Sequence, residues 1–359
     1  MNTSLLQPFT EAEILASFHY INPRKAPEID GFPSSFYRQH WDLLGPEFLA
    51  LCLDLLQGKA DMASVNRSVI VLIPKVSDPT TMKHFRPTSL CTVIYKTISK
   101  VLVNRLKVVL PCCISASQAA FLSGRNITDN ILIAHELVHS LHSNGSAGSQ
   151  GAAVKLDMEM AFDRVEWSFL RDVMLRMGFA KDWVNLILRC VSSVSFTVRV
   201  NGSLSHEFFP SRGIRKGDPL SPFLFLICSQ VLSVALEMEQ REGRLMGLNA
   251  SRHGPRVTHL IFADDSIVFL RNCPEEVEHL RNIHSLYASS SGQTINFDKS
   301  TAFCSPKCSP HFLNTMRSTS GVRLVDNPGI YLGVPLLIKR NRTASLGFVR
   351  DKVHSRMSK

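Results

Sequence analysis

The chain has 359 residues, 40 Lys+Arg against 30 Asp+Glu, with 45% hydrophobic and 19% charged residues. That balance excludes a disordered or fibrous chain. The length suggests two or three structural units, because single cores stop growing at roughly 250–300 residues. A net charge of +10 and a pI near 9.3 favour a polyanionic partner, either nucleic acid or an acidic membrane surface.

The charge is unevenly placed. Residues 65–125 hold nine Lys/Arg and one acid, Asp78, and residues 299–359 hold eleven Lys/Arg and two acids, Asp326 and Asp351. Two basic flanks around an acidic centre suit an enzyme that grips phosphates and holds metal ions; two solvated surfaces are the plainer alternative. The most apolar stretch, Pro219 to Met238, is interrupted by Ser221, Pro222, Ser229, Gln230 and Ser233. It falls short of the ~20 uninterrupted apolar residues of a membrane span, so no membrane partner is expected. The N-terminus lacks a basic region followed by an apolar run, and the nine cysteines form no CxxC pair. These features read as an intracellular, non-secreted protein with reduced thiols.

In chain order, Glu11 to Tyr20 and Trp41 to Leu56 have helical patterns, separated by the Pro- and Gly-rich stretch Asn22 to Pro33. Val69 to Ile73, closed by Pro74, reads as a buried strand. Cys91 to Leu110 is helical, with Ile94, Ile98, Val101, Leu102 and Leu106 on one face, and Thr128 is placed to cap a helix reaching His142. Ser143 to Gly151 is a surface loop. Ala153 to Met158 reads as a strand leading into a helix from Phe162 to Met177. Phe196 to Asn201 and Glu207 to Pro210 suggest a hairpin, Pro222 opens an apolar helix to Glu239, and His259 to Leu270 forms two strands with Asp264-Asp265 at their tip. Strands and helices mix without a βαβ rhythm, which predicts an α+β fold.

Two places put acids where cores disfavour them: Asp157 at a strand end in KLDMEMAFDRVEW, and Asp264-Asp265 in LIFADDSIVFL. Ordinary turn chemistry explains an isolated hairpin acid. Three clustered carboxylates, however, repel one another unless divalent cations sit between them, and Mg²⁺ favours one or two carboxylates, waters and substrate phosphates. Such ions serve phosphoryl transfer.

With these acids in place, the chain resembles the reverse transcriptase of LINE-type (non-LTR) retrotransposons, particularly the plant branch. FADD (Phe262 to Asp265) is similar to that family's polymerase hairpin, and KLDMEMAFD to its first catalytic strand. RGIRKGDPLSP (Arg212 to Pro222) resembles the loop under nucleotide and template. SGQTINFDKS (Ser291 to Ser300) and YLGVPL (Tyr331 to Leu336) resemble the later palm motifs. LIPK, FRPTSL and QAAFLSGRNITDNIL resemble fingers segments, and all stand in the family's order.

The resemblance implies a right-hand polymerase fold with an antiparallel palm sheet. Residues 1–56 would be a helical lead-in, 57–337 the reverse transcriptase domain (fingers about 65–150, palm about 151–337), and 338–359 a stub of thumb. The chain would then be a fragment lacking the endonuclease domain and most of the thumb. Asp157, Asp264 and Asp265, with the Met158 carbonyl, would hold two Mg²⁺ ions, for which Mn²⁺ can substitute. Phe162 would exclude a 2′-hydroxyl, its alternative being a core aromatic. Lys75 and Arg86 would pair with the triphosphate, Lys299 would act as a general acid on the leaving pyrophosphate, and Lys216 and Gly217 would line the nucleotide and template. Asp163 is expected to face a basic neighbour rather than a metal. Partners would be an RNA template, a DNA primer and deoxynucleoside triphosphates. Departures from the family pattern are Lys216 for the usual Gln, Glu28 for a turn Gly and Thr88 for Ile.

Two other readings compete. His135-Glu136-Leu137-Val138-His139 matches the H-E-x-x-H zinc-protease pattern, with Ile131, Ala134, Val138 and Leu141 forming the apolar stripe beside the histidines. A truncated, inactive remnant that only binds RNA is the other.

Overall fold

The alternating apolar patterns resolve into two sheets wrapped by helices in the computed structural model, which describes residues 1–23, 30–143, 150–249, 254–338 and 342–357. The Lys25–Ile29 part of the predicted turn, with Glu28, and most of the predicted loop after Ser143 lie outside these residues.

The chain opens with α1 (Asn2–Leu5), α2 (Glu11–His19), α3 (Ser34–Gln39) and α4 (Trp41–Gln57). Thr10 caps α2 by accepting the Glu13 N–H at 3.3 Å, satisfying one of the donors a helix start leaves unpaired. Leu5, Ile14, Phe18, Phe48 and Leu55 are buried in the same core as the long helix α5 (Val93–Cys113), which follows β1 (Arg67–Pro74) and β2 (Phe85–Cys91). Arg105 on α5 ties this start down, donating to the Leu5 and Gln7 carbonyls and pairing with Glu13 at 2.8 Å.

After α6 (Ile127–His142) come β3 (Gly151–Leu156), α7 (Trp167–Arg176), α8 (Lys181–Ser192), β4 (Ser195–Val200) and β5 (Ser203–Leu204). Strand β4 runs parallel to β1, so the first sheet has the order β2-β1-β4-β5 and is completed by chain that returns from the centre of the molecule. Helix α9 (Ser221–Arg241) and the short ladder of β6 (Leu248–Asn249) and β7 (Arg256–Val257) lead to β8 (His259–Phe262), β9 (Asp265–Arg271) and α10 (Pro274–Ser291). β10 (Thr301–Cys304), α11 (Pro310–Thr319), β11 (Arg323–Leu324), the hairpin of β12 (Ile330–Tyr331) and β13 (Val334–Pro335), and α12 (Arg342–Met357) follow. The second sheet has the order β11-β10-β3-β9-β8 and is antiparallel except for the β10–β11 edge. The α+β class and the palm-type sheet expected from the sequence are present.

Both faces of this sheet are covered. Ala152, Val154, Leu156, Val268 and Leu270 join the large core, whereas Ala153, Ile267, Phe269 and Phe303 pack with Ala134, Leu137, Val138 and Leu141 of α6. Period-two alternation thus feeds two apolar layers, which explains why β9 reads as an unbroken apolar run. Gly151 starts β3 because a Cβ there would lie 1.9 Å from the Leu270 carbonyl oxygen of its neighbour. By length and composition α9 could cross a membrane, but two-thirds of its apolar window (67%) is buried inside the protein, where it serves as a core helix.

Four local expectations change. The helix predicted from Phe162 starts only at Trp167, because residues 159–164 form turns that pack on the loop 212–214. Helix α6 begins at Ile127 with Asn126 at the cap position and no capping side chain, so Thr128 lies inside it. Ile73 is 48% exposed because β1 projects beyond the core at that end. The hairpin partner of β4 is Ser203–Leu204, reached through Asn201 and Gly202 at φ +50° and +85°; the expected second strand contributes a single bridge, Phe196 to Phe208.

His259 on β8 is 3% exposed, and burial pushes its pKa from 6.5 down to about 4. The unfolded chain therefore takes up a proton between those values while the folded one does not, so stability is lost as pH falls from 6.5 toward 4. Thermal melts across that range should fall, with a contribution on the order of 3 kcal/mol from this residue, and His259→Phe should flatten the slope. An unchanged slope would remove His259 as its source.

Candidate active site

Strand register places the acids. Leu156 pairs with Ser266, so Asp157 and Asp265 stand one step beyond that pair on neighbouring strands. Phe262 pairs with Asp265, leaving Ala263 and Asp264 as the two-residue loop of the hairpin. Burial raises the Asp264 carboxyl above its usual range, as does the nearby Asp157, while its own backbone N–H, Lys216 and Lys299 pull it down. Burial also raises Asp265, with Asp264 and Asp157 adding to the effect and Lys155 opposing it. Asp264 nevertheless opens to solvent by accessible area: the cluster is ringed by protein but reachable. The three sequence-predicted acids are therefore one electrostatic unit.

The segment 291–300 frames Asp157. Ser300 Oγ accepts the Asp157 N–H at 3.1 Å, the Asn296 N–H donates to the Asp157 carbonyl at 2.8 Å, and Met158 bridges to Ile295. Lys299 Nζ lies 3.9 Å from Asp157 Oδ1, so the cation predicted for the leaving group is beside one of the three predicted carboxylates. Gln293 donates to the Ala161 carbonyl at 2.8 Å and fixes the following turn.

That turn carries Phe162 and Asp163. Phe162 is half-buried and stacks on Phe225 of α9, with centroids 5.2 Å apart and planes within 7°, so the packing role foreseen as its alternative is real. Asp163 pairs with Lys216 at 2.5 Å; it faces a basic neighbour as expected. Lys216 is thereby engaged and close enough to lower the Asp264 pKa. Gly217, at φ +115°, lets the loop approach β2: a Cβ would sit 2.6 Å from the Ser89 carbonyl oxygen. The Ser89 N–H donates to the Lys216 carbonyl at 2.7 Å.

Lys75 and Arg86 sit exposed at the far end of the β1–β2 ribbon, where Ile73 pairs with Arg86. Lys75 Nζ donates to the Lys83 carbonyl at 3.0 Å. Among the described residues no hydrogen bond or ion pair joins either to the carboxylates, so the structure brings together the acids, Lys299 and Lys216 but not these two.

Sequence reading missed the anchor of this loop. Arg215 and Asp218 are both nearly inaccessible, at 5% and 3%, and pair at 3.4 Å. Arg215 donates to Asn66 Oδ1 at 2.6 Å and Ser68 Oγ at 3.0 Å, and its guanidinium lies 3.8 Å from the Tyr95 ring centroid. Asp218 accepts from the Tyr95 hydroxyl at 3.1 Å, from Ser99 Oγ and from the Leu220 N–H at 3.0 Å. No spacing rule marks a loop charge as buried; the only signal is an i,i+3 pair of opposite sign.

The donor set suits a hard divalent cation: three carboxylates with the Met158 carbonyl between two of them in sequence. Among the described residues no three His, Cys, Asp or Glu side chains stand together in metal-holding geometry. The zinc pattern fares worse. His139 and Glu136 are exposed and His135 half-buried, while the buried side of α6 is formed by Asn130, Ala134, Leu137, Val138 and Leu141, with Ile131 only half-buried.

A hairpin tipped with carboxylates beside a strand ending in a third, with a separate β2-β1-β4-β5 sheet carrying Lys75 and Arg86 at one end, has the make-up of a polymerase palm with its fingers. The family model described as reverse transcriptase (RNA-dependent DNA polymerase) matches residues 73–336, and the chain belongs to that family. It is 29% identical over 306 residues to the Transposon TX1 uncharacterized 149 kDa protein of Xenopus laevis, covering 85% of this chain and 23% of that protein. It is 25% identical over 251 residues to a retrovirus-related Pol polyprotein from the type-1 retrotransposable element R2 of Popillia japonica, covering 67% of this chain and 33% of that protein. An uncharacterized mitochondrial protein of Arabidopsis thaliana is 49% identical over 67 residues, 19% of this chain and 55% of that protein. The chain thus spans about a fifth to a third of the length of the transposon relatives it matches.

Asp218→Ala should destabilise the protein by about 3–5 kcal/mol, because it leaves the buried Arg215 charge uncompensated. A chemical denaturation series checks this, and a loss below about 1 kcal/mol would refute the anchoring role.

Proposed function

We propose that the chain carries the RNA-directed DNA polymerase activity of a non-LTR retrotransposon. The observation that carries this reading is the electrostatic unit of Asp157, Asp264 and Asp265 with Lys299 at its edge. The primer 3′-oxygen attacks the α-phosphorus of a deoxynucleoside triphosphate paired to the RNA template. One P–O bond forms, the α–β P–O bond breaks and pyrophosphate leaves. Two Mg²⁺ ions held by Asp157, Asp264, Asp265 and the Met158 carbonyl, or Mn²⁺ in their place, would supply a more acidic primer hydroxyl and neutralise the leaving oxygen.

The chain itself does the positioning. Lys299 Nζ is placed to hand a proton to the departing pyrophosphate. Lys75 and Arg86, exposed at the end of the fingers ribbon, bind the triphosphate through charge-assisted hydrogen bonds. Phe162, fixed by its stack on Phe225, forms a wall under the sugar, where a 2′-hydroxyl meets carbon rather than a hydrogen-bond partner. Lys216, held by Asp163, sets positive potential beside the nucleotide. The catalytic power comes from orientation and charge placement, without a covalent intermediate. Nine free cysteines fit the intracellular setting of this reading.

Primer extension on poly(rA)/oligo(dT) with Mg²⁺, and then Mn²⁺, tests the activity. Asp264→Asn should reduce incorporation more than about a thousandfold, since several kcal/mol of charge stabilisation leave with the carboxylate; retained activity would overturn the site. Phe162→Val should raise ribonucleotide use relative to deoxynucleotide use by about ten- to a hundredfold, the equivalent of relieving a 1–3 kcal/mol overpacking clash. An unchanged sugar preference removes Phe162 as the gate.

A further inference from the structure

The carboxylate hairpin turns through Ala263 at φ +56°, a left-handed backbone that side chains other than Gly, Asn and Asp adopt reluctantly. Two-residue hairpin loops usually reserve such a position for Gly. A turn of this kind relaxes unless its surroundings hold it, and any relaxation moves Asp264, the next residue, directly.

One side chain from a distant segment holds it. Gln118, 1% exposed, accepts the Ala263 N–H at 3.0 Å with Oε1, and the same oxygen accepts the Ala120 N–H at 3.0 Å. Its Nε2 donates to Ser229 Oγ of α9 at 3.4 Å. The backbone around Gln118 is itself laid on the outer edge of β8. The Ile261 N–H donates to the Ser117 carbonyl at 2.9 Å and the Ala119 N–H to the Ile261 carbonyl at 3.1 Å, with Gln118 bridging Ile261 in parallel. Arg125 fastens the segment from behind, donating to the Gln118 carbonyl at 2.6 Å and the Ile114 carbonyl at 2.8 Å. Asn130 donates to the Ile261 carbonyl at 3.0 Å, so helix α6 grips the same strand. Phe121, three residues past Gln118, also has a positive φ of +59°, so the clamping segment is bent in turn.

We propose that Gln118 is a positioning residue for the metal-binding carboxylates: its amide oxygen keeps the Ala263 turn in its strained form, so that Asp264 and Asp265 stand where a divalent cation needs them. The inference rests on reading those carboxylates as metal ligands. The chemistry suits a neutral amide. A carboxylate in its place would add a fourth negative charge to a cluster that already raises its own pKa values, and an apolar side chain would leave the Ala263 N–H buried without an acceptor. Partners that orient metal ligands typically account for ten- to a hundredfold in metal affinity.

The test measures Mn²⁺ binding to the full chain by electron paramagnetic resonance of the free ion, without nucleotide, alongside primer extension. Gln118→Met keeps the volume and removes the acceptor; it should weaken Mn²⁺ binding by about ten- to a hundredfold. Ala263→Gly in the same background accepts the left-handed turn without a clamp and should recover most of the loss. Mn²⁺ binding within twofold of the parent in Gln118→Met, or a loss that Ala263→Gly does not recover, overturns the proposal. Circular dichroism melts verify that the variants fold. Should Gln118→Met not fold, Ala263→Val loads the turn with a β-branched residue while Gln118 stays in place: weaker binding is the expected result, and unchanged binding refutes the strain. A parent chain that binds Mn²⁺ but incorporates no nucleotide refutes the polymerase reading while the clamp comparison still decides this one. A parent that binds no Mn²⁺ overturns the clamp proposal.

Discussion

The buried pair of Arg215 and Asp218 is the constraint on which the architecture around the carboxylates depends. Removing two charges from water costs several kcal/mol each, so such a pair persists only when its hydrogen bonds are well met. Here they are supplied by β1 (Ser68), by Asn66 just before it, and by α5 (Tyr95 and Ser99). The loop 212–218 therefore cannot shift relative to the fingers sheet without stranding a charge. The same loop donates the Ile214 N–H to the Phe162 carbonyl and accepts the Trp167 indole N–H at the Gly213 carbonyl, at 2.8 and 2.7 Å. One buried ion pair thus ties the fingers ribbon to the turn that presents Phe162 and Asp163. Either partner alone would be an uncompensated buried charge, which is what ties the two segments to one arrangement.

The second sheet is the other half of the positioning. Apolar layers on both faces hold β3 and β9 in register, and a one-residue slip would exchange the two layers. That penalty keeps Asp157 and Asp265 adjacent even though each is unfavourable beside the other. Repulsion within the cluster and the left-handed Ala263 are both costs located at the site, offset by burial elsewhere in the fold. Lys299 and Lys216 lower the Asp264 pKa against that repulsion.

Much of this was legible from residues alone. Helices α2, α4, α5 and α9 follow apolar spacing closely, and the FADD hairpin announces itself by two apolar strands around paired acids. The pairing of Asp163 with a base followed from its position in the first carboxylate motif. Other features were illegible for identifiable reasons. The Phe162 turn has helical composition but spends its backbone hydrogen bonds on the loop from 212 and the segment from 291, partners about 50 and 130 residues away in sequence. Strand β4 looked like half of a local hairpin, yet its main partner is β1, more than a hundred residues earlier. The burial of Gln118, Arg215 and Asp218 could not be read from their motifs or from the i,i+3 spacing of the charged pair, because burial of a polar group depends on what the rest of the chain lays over it.

By itself, the sequence determined the chemistry available: which carboxylates exist, that they end strands or tip a hairpin, which basic residues accompany them, and the family to which their order belongs. These are properties of residue type and short-range period, which a linear chain already carries. Tertiary structure alone decided which of them act together. It gathered three acids and Lys299, left Lys75 and Arg86 apart at the end of the ribbon, and engaged Lys216 with Asp163. It also recruited Gln118 and the Arg215–Asp218 pair as supports. Contact, burial and strain are relations between distant segments, and only the folded chain has them.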